Sequence, residues 1–282
     1  MDIEQIQLVE VDFTDLENVE KPEMVYKYRS WNKGDVNSDN VLLKNQLFLA
    51  EPSSFVDQFD CKIPTRYDLL TDEEILQWGE PIVRRMHTRW NDKAIKNEVI
   101  RLAARLPFKD ENKMKLFIAD EWKSYNDKSG ILSLCKNPLN NEMWKMYGHD
   151  HTGICYGYET NKLIRSCGFG GGGPVTYQDE LPIIHPLMDS ILVASIRVYY
   201  KLTKWEFEEE YRIRDFSEAN VNKANRVRVY SDDILKEVTL GHSFDDEQIP
   251  RIIEILRKKG SHADLYKCEI VDGALSRLLI DY

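Results

Sequence analysis

Between residues 71 and 126 the chain carries helix signals and no strand candidate, while short strands appear on both sides of that block. Thr71 and Glu74 have capping-box spacing, Asp110 is placed to cap a second long helix through Phe117 and Trp122, and Pro81 is expected to break or restart the first. In Met24 to Arg29, Val25, Lys27 and Arg29 alternate with Tyr26 and Tyr28, the pattern of a strand. After a short helix at Val41 to Asn45, further strands are expected at Leu47 to Ala50, Ile131 to Cys135, Gly153 to Glu159, Val175 to Tyr177, Glu209 to Arg214, Arg226 to Tyr230 and Glu237 to Gly241. Helices are expected at Asp189 to Tyr200 and at Asp246 to Lys259, the latter stopped by Gly260. Asp264 to Val271 and Ser276 to Asp281 form a hairpin through Asp272-Gly273, suited to a sheet edge. Long gaps between strands predict an α+β fold with a mixed or antiparallel sheet core and a helical insertion, not a doubly wound sheet.

Charge divides the chain unevenly. The first twenty residues hold seven acids and no base, so the other 262 carry only −3 of the net −10. Residues 1–22 therefore read as an acidic arm, solvated or docked on a protein partner, and 23–282 as one domain. The acidic balance disfavours non-specific binding to duplex nucleic acid. The basic stretch Arg84, Arg85, Arg89, Lys93, Lys96, Arg101 and Arg105 scatters around a helix axis as a solvated face. No apolar run nears the ~20 residues of a membrane helix, and Met1-Asp2-Ile3-Glu4 lacks the start of a signal peptide. Five cysteines without a CxxC fit a reducing cytoplasm, and no membrane partner is expected. His149 and His151 lack a third ligand at recognisable spacing, so no metal is expected there.

The densest polar run is Lys204 to Arg212. On a strand, Glu208 and Glu210 would share a face, and two adjacent carboxylates raise one pKa and favour a nearby cation. Lys27 and Arg29 on the first strand would suit phosphate oxygens or, equally, guard a sheet edge. Ser133 lies on an otherwise apolar strand with a hydroxyl to satisfy. Met143, Trp144 and Tyr147 have helical spacing, and His151 precedes a strand within reach of a cleft. Gly170 to Gly173 has no strand-to-helix phosphate-loop context and reads as a mobile loop.

Taken in order, Tyr26 to Arg29, Phe55 to Asp60, Met143 to Gly153, Trp205 to Arg212 and Glu237 to Gly241 resemble the segments of a bacterial family known as domain of unknown function 2971. Val56 and Gln58 replace that family's usual Asn and Pro. The order Arg29, Ser133, Glu208-x-Glu210 is also similar to ADP-ribosyltransferases of the Arg–Ser–Glu class, with Cys135 in place of a second serine. That resemblance implies NAD as substrate, Arg29 on its phosphate, Ser133 by the nicotinamide ribose, Glu210 on the ribose 2′-hydroxyl and Glu208 positioning an acceptor. Lys27 and His151 would line the same site, with Tyr28 or Trp144 stacking on nicotinamide. The acceptor stays open among protein, nucleic acid and water, and the role implied is a cytoplasmic toxin or antiviral-defence effector. The rival readings are a metal-dependent nuclease using Asp57, Asp60, Glu208, Glu210 and Lys204, and a non-catalytic nucleotide- or protein-binding module.

Overall fold

The computed structural model describes residues 21–31, 36–168, 171–216 and 224–282; the acidic arm through residue 20 lies outside them. In chain order the elements are β1 (Met24–Arg29), α1 (Val36–Leu43), β2 (Gln46–Phe48), α2 (Asp72–Met86), α3 (Asp92–Ala103), α4 (Glu111–Lys128), β3 (Ser129–Cys135), α5 (Asn141–Met146), β4 (Ile154–Glu159) and α6 (Thr160–Ser166). They continue with β5 (Gly171–Pro174), β6 (Thr176–Gln178), α7 (Ser190–Tyr199), β7 (Tyr200–Leu202), β8 (Glu210–Phe216), β9 (Val227–Val229), β10 (Leu235–Leu240), α8 (Ile249–Lys259), β11 (Asp264–Val271) and β12 (Ala274–Ile280).

Eight strands form one mixed sheet in the order β12-β11-β10-β4-β1-β3-β8-β5, antiparallel except for β10 and β11. This is an α+β arrangement, with β2–β9 and β6–β7 as small side ladders. β4 is buried along nearly its whole length, and alternation on its neighbours sends Val25, Leu132, Leu134, Tyr156 and Tyr158 to one face, where α8 closes the main core with Ile252, Ile255 and Leu256. The opposite face carries Tyr26, Tyr28, Cys135, Trp144 and Cys155. No helix among the described residues is long and apolar enough to cross a membrane.

β1 and β3 are neighbours that barely pair. They share the single register pair Tyr26–Cys135, whereas β1 pairs with β4 at six positions. The sheet is thus split between β1 and β3 beyond Tyr26, and the Lys27 ammonium donates to the Ser133 carbonyl across the gap at 2.6 Å.

The helical block forms as its caps require. Thr71 and Glu74 make both bonds of the capping box, and Asp110 accepts from the Asn112 and Lys113 amides. Ile75 and Val83 of α2 pack on Ile95 and Val99 of α3, while Tyr67, Trp78, Phe108 and Phe117 build an aromatic cluster beside them. The basic side chains of this block are exposed.

Two expectations are corrected. Pro81 does not break α2, which runs through it from Asp72 to Met86. Val83, two residues after it, packs on Ile95, Val99 and Leu102 of α3, and this docking offsets the one hydrogen bond that proline removes. The glycine run is not a loop from Gly171 onward, because β5 pairs with β8 from Gly171–Arg214 to Pro174–Tyr211. A Cβ on Gly172 would lie 3.0 Å from the Tyr211 ring, so the missing side chains let that ring and the Tyr199 ring pack against bare backbone.

Candidate functional site

A cavity of about 130 Å³ opens at the split between β1 and β3. Lys27 and Tyr28 come from β1, Ser133 and Cys135 from β3, Tyr147 from the end of α5, Glu208 and Glu210 from the approach to β8, and Lys201 from β7. Five of the eight residues singled out from the sequence thus meet in one place.

The two glutamates converge, but not as the sequence suggested. Glu208 closes a 3-10 turn running from Thr203, Glu209 is left-handed at φ 44°, and only then does β8 begin at Glu210. The reversal at Glu209, rather than a shared strand face, aims both carboxylates at Lys201. Asn140, which caps α5, braces this turn by donating to the Phe207 carbonyl at 2.5 Å. The Glu210 amide donates to the Tyr177 hydroxyl at 2.9 Å.

Around Lys201 lies a buried cluster of two cations and three carboxylates. Lys201 contacts Glu208, lies 3.1 Å from Asp60 and 3.5 Å from Glu210, and sits over the Trp205 ring at 5.0 Å. Arg212, fully buried, forks onto Glu210 with bonds of 2.8 and 2.7 Å and reaches both Asp60 oxygens at 2.7 and 2.9 Å. Its remaining capacity goes to the Val198 carbonyl at 2.7 Å and the Cys61 sulfur at 3.2 Å. Such a set holds together only because every charge has partners of opposite sign.

The carboxylates are driven apart in acidity. Burial alone would raise all three. For Asp60 the charges of Arg212 and then Lys201 overcome it and bring the pKa to about 2, and for Glu210 the same two cations push the balance downward. For Glu208 burial and the Glu210 charge win over Lys201 and the Tyr147 hydroxyl, which donates to it at 2.7 Å, and its pKa rises. Burial, then the Arg29 charge, lowers Lys27 to about 7. The Ser133 hydroxyl is buried and has no hydrogen-bond partner among the described residues. The arrangement therefore offers one carboxylate shifted toward its protonated form, one shifted toward its ionised form, an amine lowered to about 7, and a buried hydroxyl without a partner among the described residues.

The other three candidates lie elsewhere. Arg29 is half-buried on β1 and does not line the cavity, although its charge reaches Lys27. Trp144 is fully buried, packs edge-on to Tyr28 at 5.0 Å and spends its indole N–H on the Pro138 carbonyl. His151 lies behind it, stacked on Trp144 at 6.1 Å and tilted against His242 at 4.2 Å, and burial followed by the His242 charge lowers its pKa. His149, Asp150 and His151 are all left-handed, with φ of 50°, 51° and 65°. Gly241 approaches that turn so closely that a Cβ there would lie 2.0 Å from the His151 carbonyl oxygen. The turn fixes the direction in which α5 presents Tyr147.

The residues gathered for a nuclease are divided as well. Asp60, Glu208 and Glu210 surround the Lys201 ammonium, whereas Asp57 and Lys204 stand 3.8 Å apart outside the cavity lining. Among the described residues, no group of three or more His, Cys, Asp or Glu side chains is placed to hold a metal ion. The residues that sequence reasoning missed are Lys201, Arg212 as a site residue, and Tyr177; a lysine inside Tyr199-Tyr200-Lys201-Leu202 is the one trace Lys201 leaves in the sequence.

Compared with known proteins, the chain matches no family model, and neither the curated proteins nor the solved structures give a match.

Proposed function

We propose that this protein is an NAD-consuming enzyme of the ADP-ribosyltransferase kind, in which Glu208, and not Glu210 as the resemblance implies, faces the ribose, while Glu210, held on both oxygens by Arg212, is the fixed anion that tunes it. The observation that carries this reading is the pairing of a raised and a lowered carboxylate in one cavity beside a free serine hydroxyl. Environments that separate two like groups in this way assign them different roles.

Breaking the bond between nicotinamide and ribose builds positive charge on the sugar, as in glycoside hydrolysis. A preorganised carboxylate cluster with net negative charge favours that transition state more than the neutral sugar. Glu210 is held on both oxygens by Arg212 and supplies field rather than contact. Glu208 is held by a half-exposed tyrosine and by an ammonium that two other carboxylates share, so it can exchange a partner for a ribose hydroxyl. Ser133 would orient the ribose, and Lys27 would meet the adjoining phosphate. The cavity volume suits one ring of the dinucleotide, so the rest would lie outside, toward Arg29. In this reading the enzyme would serve as a bacterial stress or defence effector, the role the motif order implies, with ADP-ribose passed to an acceptor still to be identified.

The test is nicotinamide release from NAD by purified protein, with and without cell extract. Glu208→Gln is expected to lose roughly 100-fold or more in rate while melting within error of the wild type. Release that needs extract means transfer to a macromolecule, and release without it means hydrolysis. A wild-type protein that neither binds NAD nor releases nicotinamide overturns the reading.

A further inference from the structure

The two edges of the large sheet are built differently. β5 is four residues long and ends in Pro174, which has no N–H to offer a neighbouring chain. β12 spans seven residues, Ala274 to Ile280, and has none of these protections. It contains no proline, and its register with β11 runs unbroken from Leu265–Ile280 to Val271–Ala274. Its one charge, Arg277, is tied to Glu237 at 2.5 Å and lies over the Tyr266 ring at 4.2 Å. Leu278 is 60% exposed and Leu279 50% exposed. Adjacent residues on a strand point to opposite faces, so both faces of this edge are apolar. Ile270 and Val271, at the tip of the same hairpin, extend the patch. A helix laid against the sheet would cover one face only, whereas another strand covers both and takes up the free backbone groups.

We propose that β12 pairs antiparallel with β12 of a second copy of this chain, about a two-fold axis at Arg277, joining two sheets into one. Centred there, Leu275 faces Leu279, Ser276 faces Leu278 and Ala274 faces Ile280, each twice, so the strand complements itself. Moving the centre to Leu278 would set Leu275 against Asp281. The charges fit the same axis. Each Arg277 arrives already neutralised by its own Glu237, so two ion pairs meet rather than two bare cations. The contact is isologous and therefore closes at two. One strand pair lies at the small end of stable interfaces, which bury about 800 Å² per partner, so the dimer forms reversibly with concentration.

Sedimentation velocity over a wide concentration range tests this on the full chain. The mass is expected to rise from monomer to dimer and stop, and Leu278→Lys and Leu279→Lys are each expected to keep the chain monomeric with an unchanged melting temperature. Amide exchange in residues 274–280 of the wild type should slow as concentration rises, a readout independent of how the variants fold. A monomer at every concentration overturns the proposal, whether the acidic arm or another protein covers the strand instead. A dimer that survives both lysine variants overturns it too, because its interface lies elsewhere.

Discussion

Charged residues do two unrelated things in this protein. In the helical block, Arg84 pairs with Glu80 and Asp92, Lys115 with Glu111 and Lys123 with Asp127, mostly one turn apart and largely in water. Around Lys201 the same residue types are at most 5% exposed, four of them from the stretch 201–212 and the fifth, Asp60, from far upstream in the chain. The first set decorates a fold that its apolar stripes already determine, since exposed pairs contribute little. The second set is costly to bury and gives little net stability even when complete, so it calls for another reason, and the proposed catalysis would supply one.

Removing Arg212 breaks this contrast most severely. Arg212→Met leaves Asp60 and Glu210 buried without their main partner, and a loss of about 3–5 kcal/mol is expected in urea denaturation. That is a large share of the stability of an ordinary domain. The acid limb of the stability curve sharpens the contrast. Asp60 titrates at about 2 in the folded chain, below its ordinary 3.8, so the stability it gives is complete above that ordinary value and drains away as pH falls from about 4 toward 2. Glu210 acts in the same direction, and Glu208, shifted upward, in the opposite one. The urea midpoint should therefore fall across this window, and less steeply in Asp60→Asn. The smallest effect belongs to the surface. Arg84→Ala, although it breaks two ion pairs, is expected to leave the melting temperature within measurement error.

What the sequence discloses follows the same division. The Thr71 and Glu74 box, the Asp110 cap, the Gly260 stop and the Asp272-Gly273 turn were all readable, because each is a signal between residues a few positions apart. The glutamate pair was readable from its density of charge. The third carboxylate of the cluster was not, since Asp60 meets Arg212 across 152 positions and nothing local at either end announces the other. Glu208 and Glu210 were expected together on a strand, yet what unites them is one left-handed residue between them. The glycine run misled for a related reason: what makes it a strand is the Tyr211 ring, forty residues downstream in round terms.

The three left-handed residues at His149, Asp150 and His151 carry a consequence for how this protein can change over generations. Each costs roughly 1–2 kcal/mol, recovered only while the Gly148 and Gly241 contacts hold the turn at this length. Adding or deleting one residue would forfeit that recovery and swing Tyr147 away from Glu208 together. Descendants of this chain are therefore held to the length of the loop and to Gly148, Gly153 and Gly241, which pack against it.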